Sequence, residues 1–470
     1  MFTMPDSHAQ APAVVSQAAD SPVQQPQSSD ASSTITCDVV VLGSGPAGAT
    51  AARQLAKAGV DVLIIEKASF PRFQIGESFL PFNLELVQDL GLEEKLRARP
   101  HVIKRGAEFG MGNTLNTTLY HFDLSLVGKG TGSFNIARSE FDAMLQEAAV
   151  EAGARLQQPA TVKKILKLTD GSVELALADG RHIHANYLVD ASGQSSLVGK
   201  HLKIKAHAKE SHLRKVSHFG HFTGVKRLKG YNQGMLSVIM CDEGWFWIIP
   251  LNETTTSVGL VIDVDAAKKI TDSGIANDQM LNWAIENTPL MASRMGEAVS
   301  MGTSQVRGDF SYRCPPYAGE GFFLVGDAAL FLDPVFSTGV CLGMYQGVEV
   351  AGYLTNILKH NASPATARKQ HAKIVNHTTY WFSRLVKLYY TQSFRELFLH
   401  GRGPLEVHRA LIAMLAGHVF PSPKWSVKWR FWMFELSMKI QNHIAMVPRR
   451  KHFALLDALN KTPEASAKAD

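Results

Sequence analysis

The 470-residue sequence predicts an α/β fold: a parallel sheet flanked by helices, an inserted antiparallel sheet, and a helical C-terminal region. Three observations predict it. A strand, a glycine loop, a helix and a second strand follow one another from Cys37. Apolar runs of period two, separated by Asp-Gly turns, fill the middle of the chain. Long apolar and basic stretches of helical character occupy 346–470.

The first unit reads "CDVVVLGSGPAGATAARQLAKAGVDVLIIEKA". "DVVVLG" is a short apolar run suited to a parallel strand buried on both faces. It enters Gly43-x-Gly45-x-x-Gly48, and a small-residue helix containing Pro46 and Ala47 follows and closes at Gly59. Gly43 permits the tight turn, Gly45 lets the backbone approach a pyrophosphate, and Gly48 allows close packing of strand and helix. The second strand ends on Glu66, placed to accept hydrogen bonds from an adenosine ribose, with Lys67 beside it. The pattern predicts a Rossmann-like dinucleotide site.

Two later strands narrow the ligand. "YLVDASG" (187–193) ends in an acidic, small-residue turn, and "GFFLVGDAALFLDPVFSTGV" (321–340) carries Asp327 before a helix start at Gly339. A dinucleotide with a long polyol would put hydroxyls near Asp327 and its second phosphate near that helix start. The three-part spacing resembles FAD enzymes of the aromatic-hydroxylase, glutathione-reductase-type superfamily. "ARSEFDAMLQEAA" resembles the family helix whose arginine, here Arg138, lies along FAD.

Composition sets the frame for these motifs. Hydrophobic content of 45% and charged content of 19% suit a globular chain with a large core, and the length suits two domains or one with insertions. The expected division is a disordered tail at 1–34, an FAD-binding domain at 35–345 and a helical region at 346–470. The substrate sheet would be interleaved at about 70–135 and 205–310. The net charge of +6 suits an anionic cofactor, substrate or carrier, and no nucleic-acid motif is present. Cys37, Cys241, Cys314 and Cys341 lie far apart without CxxC spacing, which argues against a disulfide scaffold or zinc ribbon. The tail lacks the basic start and apolar run of a secretion signal, and no run is long enough to span a membrane, so a cytoplasmic protein is expected. His212, His218 and His221 cluster in sequence without carboxylate or cysteine spacing, and no metal site is expected there.

Four stretches then carry a closer resemblance. "FPRFQIGESFLP", "VIKRGAEF", "WFWIIP" and "GDAALFLDPVFSTGV" resemble the flavin-dependent halogenases, from about Cys37 to about Val340. "HRALIAMLAGHVF" resembles their phenol- and pyrrole-acting branch. The resemblance implies FAD, used as FADH2, with dioxygen and with chloride or bromide as co-substrate. Hypohalous acid would form at the flavin and pass to a lysine, here Lys104, beside an electron-rich aromatic substrate. The amides of Thr338 and Gly339 would hold the halide. Phe336 stands where the tryptophan-acting branch has a glutamate, which favours a phenol or pyrrole that supplies its own electron density. Trp245 and Trp247 share one strand face and would wall the flavin from the substrate.

With no second glycine motif for a nicotinamide, reduced flavin is expected from a separate NAD(P)H flavin reductase. An acyl-carrier protein is a candidate partner. "KWSVKWRFWMFELSMKI" reads as a buried helix closing the substrate cavity or as a basic amphipathic surface for a carrier or membrane; apolar residues on more than one face favour burial. The alternatives on the same fold are a flavin monooxygenase, an isoprenoid-type reductase and a flavin-binding protein without catalysis.

Overall fold

The computed structural model describes residues 34–128, 132–207, 214–308 and 311–460. The expected disordered tail, apart from Thr34, and His212 lie outside the described residues.

Five strands build the parallel sheet, in the order Phe322–Leu324, His182–Asp190, Thr34–Leu42, Val62–Ile65 and Arg155–Gln157. Its centre is "VVVL", with Val39 and Val41 packed on one face and Val40 and Leu42 on the other. Such a doubly buried strand has no need to alternate apolar with polar residues. Ala318–Gly319 adds a short antiparallel edge, and the hairpin Val162–Thr169/Ser172–Leu177 pairs antiparallel onto His182–Asp190.

On one face the Pro46–Lys57 helix lies against the Gly339–His360 helix. The approach is close because the second helix presents glycines there. A Cβ on Gly347 would lie 2.6 Å from the Ala47 carbonyl oxygen, and one on Gly343 would lie 3.1 Å from the Ala47 Cβ. The two helices that start at the glycine loop and at the "FSTG" turn are thereby fixed to each other.

The second sheet runs Val299–Ser300, Lys215–Thr223, Thr256–Asp263, Gly244–Pro250, Leu236–Cys241, Gly106–Met111, Thr117–His121. It is antiparallel with one exception: Leu236–Cys241 and Gly106–Met111 pair parallel. The sheet expected to be antiparallel is so at every other pairing. These two strands come from separate excursions, and the chain passes through the parallel sheet between them, a crossover long enough for parallel pairing.

Gly244–Pro250 is buried throughout. Trp245, Trp247 and Ile249 face the C-terminal helices, while Phe246 and Ile248 face a second cluster behind the sheet. The helices Pro364–Tyr389, Gln392–His400, Val407–Leu415 and Trp425–His443 supply Phe382, Phe398, Leu411 and Phe431 to the same cluster as the tryptophans. No helix among the described residues is long and apolar enough to cross a membrane.

Candidate active site

A cavity of about 770 Å³ lies between the C-terminal ends of the parallel strands and the second sheet. The glycine loop forms one wall. Gly43 has φ +95°, and a Cβ there would lie 2.6 Å from the Ala191 carbonyl oxygen; a Cβ on Gly48 would lie 2.0 Å from the Gly43 carbonyl oxygen. Neither position can carry a side chain, and the loop is held tight against the turn at Ala191. Gly45 is the N-cap of the Pro46–Lys57 helix, whose first amides are unpaired by position. Arg72 Nη2 lies 3.5 Å from the place of a Gly45 Cβ, so a guanidinium adds its charge to the helix start. That donor set suits a diphosphate.

Glu66 lines the same cavity and braces the loop: its carboxylate accepts from the Ser44 amide (2.8 Å) and the Ala68 amide (2.9 Å). Each oxygen keeps a further lone pair for a ribose hydroxyl. Lys67 reaches Ser195 Oγ at 3.4 Å along that edge. Arg138 is held by Asp142, to which its Nε and Nη2 donate at 2.7 and 3.0 Å, and its Nη1 donates to the Ile75 carbonyl at 3.1 Å.

Asp327 and the "FSTG" turn form the adjoining wall. Burial pushes the Asp327 carboxyl up to about 6, against the opposing charge of Arg138. A Cβ on Gly339 would lie 3.5 Å from Asp327 Oδ1. Ser337 takes a left-handed conformation (φ 55°), and Thr338 and Gly339, which line the cavity, open the Gly339–His360 helix, whose first amides are unpaired by position. Gln346 lines the cavity too; its Oε1 accepts from the Gly326 amide, and its buried Nε2 has no partner. The glycine cradle, the cations beside it and this orphaned donor fit a flavin dinucleotide.

Trp245 and Trp247 also line the cavity. Their rings lie 5.9 Å apart at 49°, and Trp247 also contacts Phe219 at 5.8 Å. Trp247 pairs across the strands with Gly259, where a Cβ would lie 2.3 Å from its ring, and its Nε1 donates to Ser257 Oγ at 3.1 Å. Only a glycine leaves room for the indole to lie flat on the sheet.

Three of the sequence-predicted residues do not line this cavity. Gly48 packs behind the loop. Phe336 turns away and meets the Tyr389 ring edge-on at 5.5 Å. Lys104 is buried, with its Nζ donating to the Phe79 carbonyl at 2.9 Å and lying 5.4 Å from the centre of the Phe122 ring. Burial alone pushes its ammonium down to about 7.

Lys104 and the cavity are joined by one short segment. Glu77 lines the cavity, and two residues later the Phe79 carbonyl accepts the Lys104 proton. Along this segment Glu77 Oε2, Ser78 Oγ, Ser133 Oγ and Asn135 Oδ1 are buried without hydrogen-bond partners. Ser133 pairs with Lys104 across neighbouring strands, and Asn135 bridges Ser78. Orphaned buried polar atoms cost on the order of 1–3 kcal/mol each, so these four call for bound water or another small polar partner.

Arg72, Glu77, Gln346, Asp333 and His221 belong to the site without having been assigned a role from sequence. Glu77 Oε1 meets His221 Nε2 at 2.8 Å, which raises the imidazole against the opposing effect of burial. His218, three residues away on the same strand, instead pairs with the Asn277 carbonyl. Asp333 accepts from the Val335 amide and the Tyr390 hydroxyl, three residues before Phe336. Arg72 and Glu77 were visible in "FPRFQIGESFLP"; the His221 partner, 144 residues away, left no local signal.

The chain matches the family model for an FAD-binding domain over residues 36–377. It is 34% identical over 330 residues to a 1H-pyrrole-2-carbonyl-[peptidyl-carrier protein] brominase of Pseudoalteromonas luteoviolacea, covering 69% of this chain and 78% of the relative. It is 31% identical to a flavin-dependent halogenase of Armillaria mellea, covering 73% and 71%. Among solved structures, a flavin-dependent brominase superposes with a TM-score of 0.74 at 27% identity, covering 86% of this chain and all of the other. The myxobacterial chondrochloren halogenase superposes with a TM-score of 0.69 at 26% identity, covering 88% and 98%.

Proposed function

We propose, because the chain belongs to the flavin-dependent halogenases, that its aromatic substrate is a phenol or pyrrole, free or carrier-tethered, and that Lys104 receives the halogen. The orphaned polar row between Glu77 and Lys104 is the observation that carries this reading. Bound reduced FAD supplies two electrons, and chloride or bromide two more, to turn dioxygen into hypohalous acid and water.

The protein's own residues do the rest. The Thr338 and Gly339 amides hold the halide without a formal counter-charge. Trp245 and Trp247 keep an organic ring out of the flavin cavity. Lys104, with its amine near 7, is partly neutral at neutral pH. The neutral nitrogen takes the halogen from hypohalous acid, releasing water; the ring carbon then takes the halogen from nitrogen and loses its proton. Phe336 supplies no carboxylate to stabilise the ring cation, so the substrate's own OH or NH does so. The brominase relative acts on a carrier-bound pyrrole, which supports a tethered substrate.

The test supplies the protein with FAD, a flavin reductase, NADH, oxygen and bromide, and follows a phenol probe by mass spectrometry. Bromide-dependent bromination is expected; halide-independent hydroxylation by the unaltered protein would establish the monooxygenase reading instead. Trp247→Ala should add a hydroxylated product to the brominated one, at roughly a tenth or more of turnover. Bromination that persists with no hydroxylated product would remove the wall role.

A further inference from the structure

The Trp425–His443 helix buries one face only. Val427, Phe431, Phe434 and Met438 enter the aromatic cluster that holds Trp245 and Trp247. The opposite face repeats the spacing with Trp425, Trp432, Leu436 and Ile440, and the chain continues through Ile444 and Met446; these six are 38–69% exposed. Trp425 and Trp432 meet edge-on at 5.4 Å, so the stripe is contiguous. A surface helix ordinarily presents polar residues on this side, and a contiguous apolar stripe signals a partner.

Charge identifies the partner. Between Lys424 and His452 the sequence has seven Lys and Arg against one acid, Glu435, a net +6 equal to that of the whole chain. Glu435 is paired with Arg384, and Arg430 and Arg449 are paired with Glu406 and Glu396, which leaves the lysines to carry the segment's charge at the surface. Lys428 and Lys439, eleven residues apart, fall on one edge of the stripe beside Trp432.

We propose that this helix lies in the plane of an anionic bilayer surface, its apolar stripe at the acyl boundary and its lysines at the lipid phosphates. Tryptophan at the boundary and Lys or Arg at the rim are the composition that such a surface selects. A second copy of the chain fits less well, since a two-fold contact would bring the +6 segment against itself. An acidic carrier protein would engage charges, and the centre of this stripe has none.

The full chain is sedimented with vesicles of phosphatidylcholine alone and of phosphatidylcholine with phosphatidylglycerol. Binding to the anionic vesicles should exceed that to the neutral ones by roughly tenfold and fall in high salt. A variant carrying Trp432→Glu and Leu436→Glu should lose it by roughly tenfold with unchanged melting temperature. Lys428→Glu with Lys439→Glu, which leaves the stripe intact, should abolish the preference for anionic lipid, and covers the case of a poorly folded first variant. Absence of vesicle binding overturns the proposal, as does binding that neither variant alters. Self-association, or binding of an acidic carrier, without vesicle binding also overturns it.

Discussion

Lys104→Ala should abolish bromination, by on the order of a thousandfold, while flavin content stays at the wild-type level. The flavin is spared because Lys104 does not line the cavity; the halogen is lost because nothing else on the Phe79 segment offers an amine. Loss of bound flavin in the variant, or bromination within tenfold of wild type, would deny Lys104 its role. The same burial has a thermodynamic signature. The amine sits near 7 in the folded protein against about 10.4 in an unfolded chain. Between those values the unfolded chain holds more protons, so the lysine's penalty is fully present below pH 7 and fades as pH rises toward 10. Lys104→Met should therefore be more stable than wild type at pH 6, by on the order of 3 kcal/mol, with the gain gone near pH 10. Denaturant unfolding at the two pH values measures it.

Gly48→Val should yield a colourless protein. A Cβ at Gly48 would lie 2.0 Å from the Gly43 carbonyl oxygen, and both partners are backbone, so the loop cannot yield without opening. Flavin affinity should fall by more than roughly a hundredfold, since a displaced loop would no longer present its amides and the helix start to a diphosphate. Gly352→Ala, on the Gly339–His360 helix with nothing within 4 Å of the added carbon, is the matched control and should bind flavin as wild type does. Equal flavin content in the two variants would remove the loop from cofactor binding.

The parts of the site legible in the sequence are those whose causes are local. Gly48 and Glu66 are demanded by contacts inside one strand–helix–strand unit, whereas Gly43 is also pressed by Ala191, which a distant segment brings alongside. Trp245 and Trp247 were legible as one strand face because alternation fixes which side chains share a face. Alternation says nothing about which strand lies alongside or in which direction, and the parallel pairing of Leu236–Cys241 with Gly106–Met111 was therefore missed. Glu77 with His221 needs two distant excursions to meet. The apolar residues on several sides of the Trp425–His443 helix favoured burial, whereas only one side is buried. The exposed stripe is apolar at helical spacing, as the buried one is, and a single sequence does not distinguish them.

The glycines at 343 and 347 bear on how this scaffold can diversify. They lock the helix that begins at the Thr338–Gly339 turn onto the helix that begins at the glycine loop. The anion turn and the phosphate loop are consequently two ends of a single rigid ruler. A change that moved the turn would therefore also displace the glycine loop. Variation in the aromatic substrate is therefore expected to fall on the C-terminal helices, which lie outside this lock, rather than on the two helix starts.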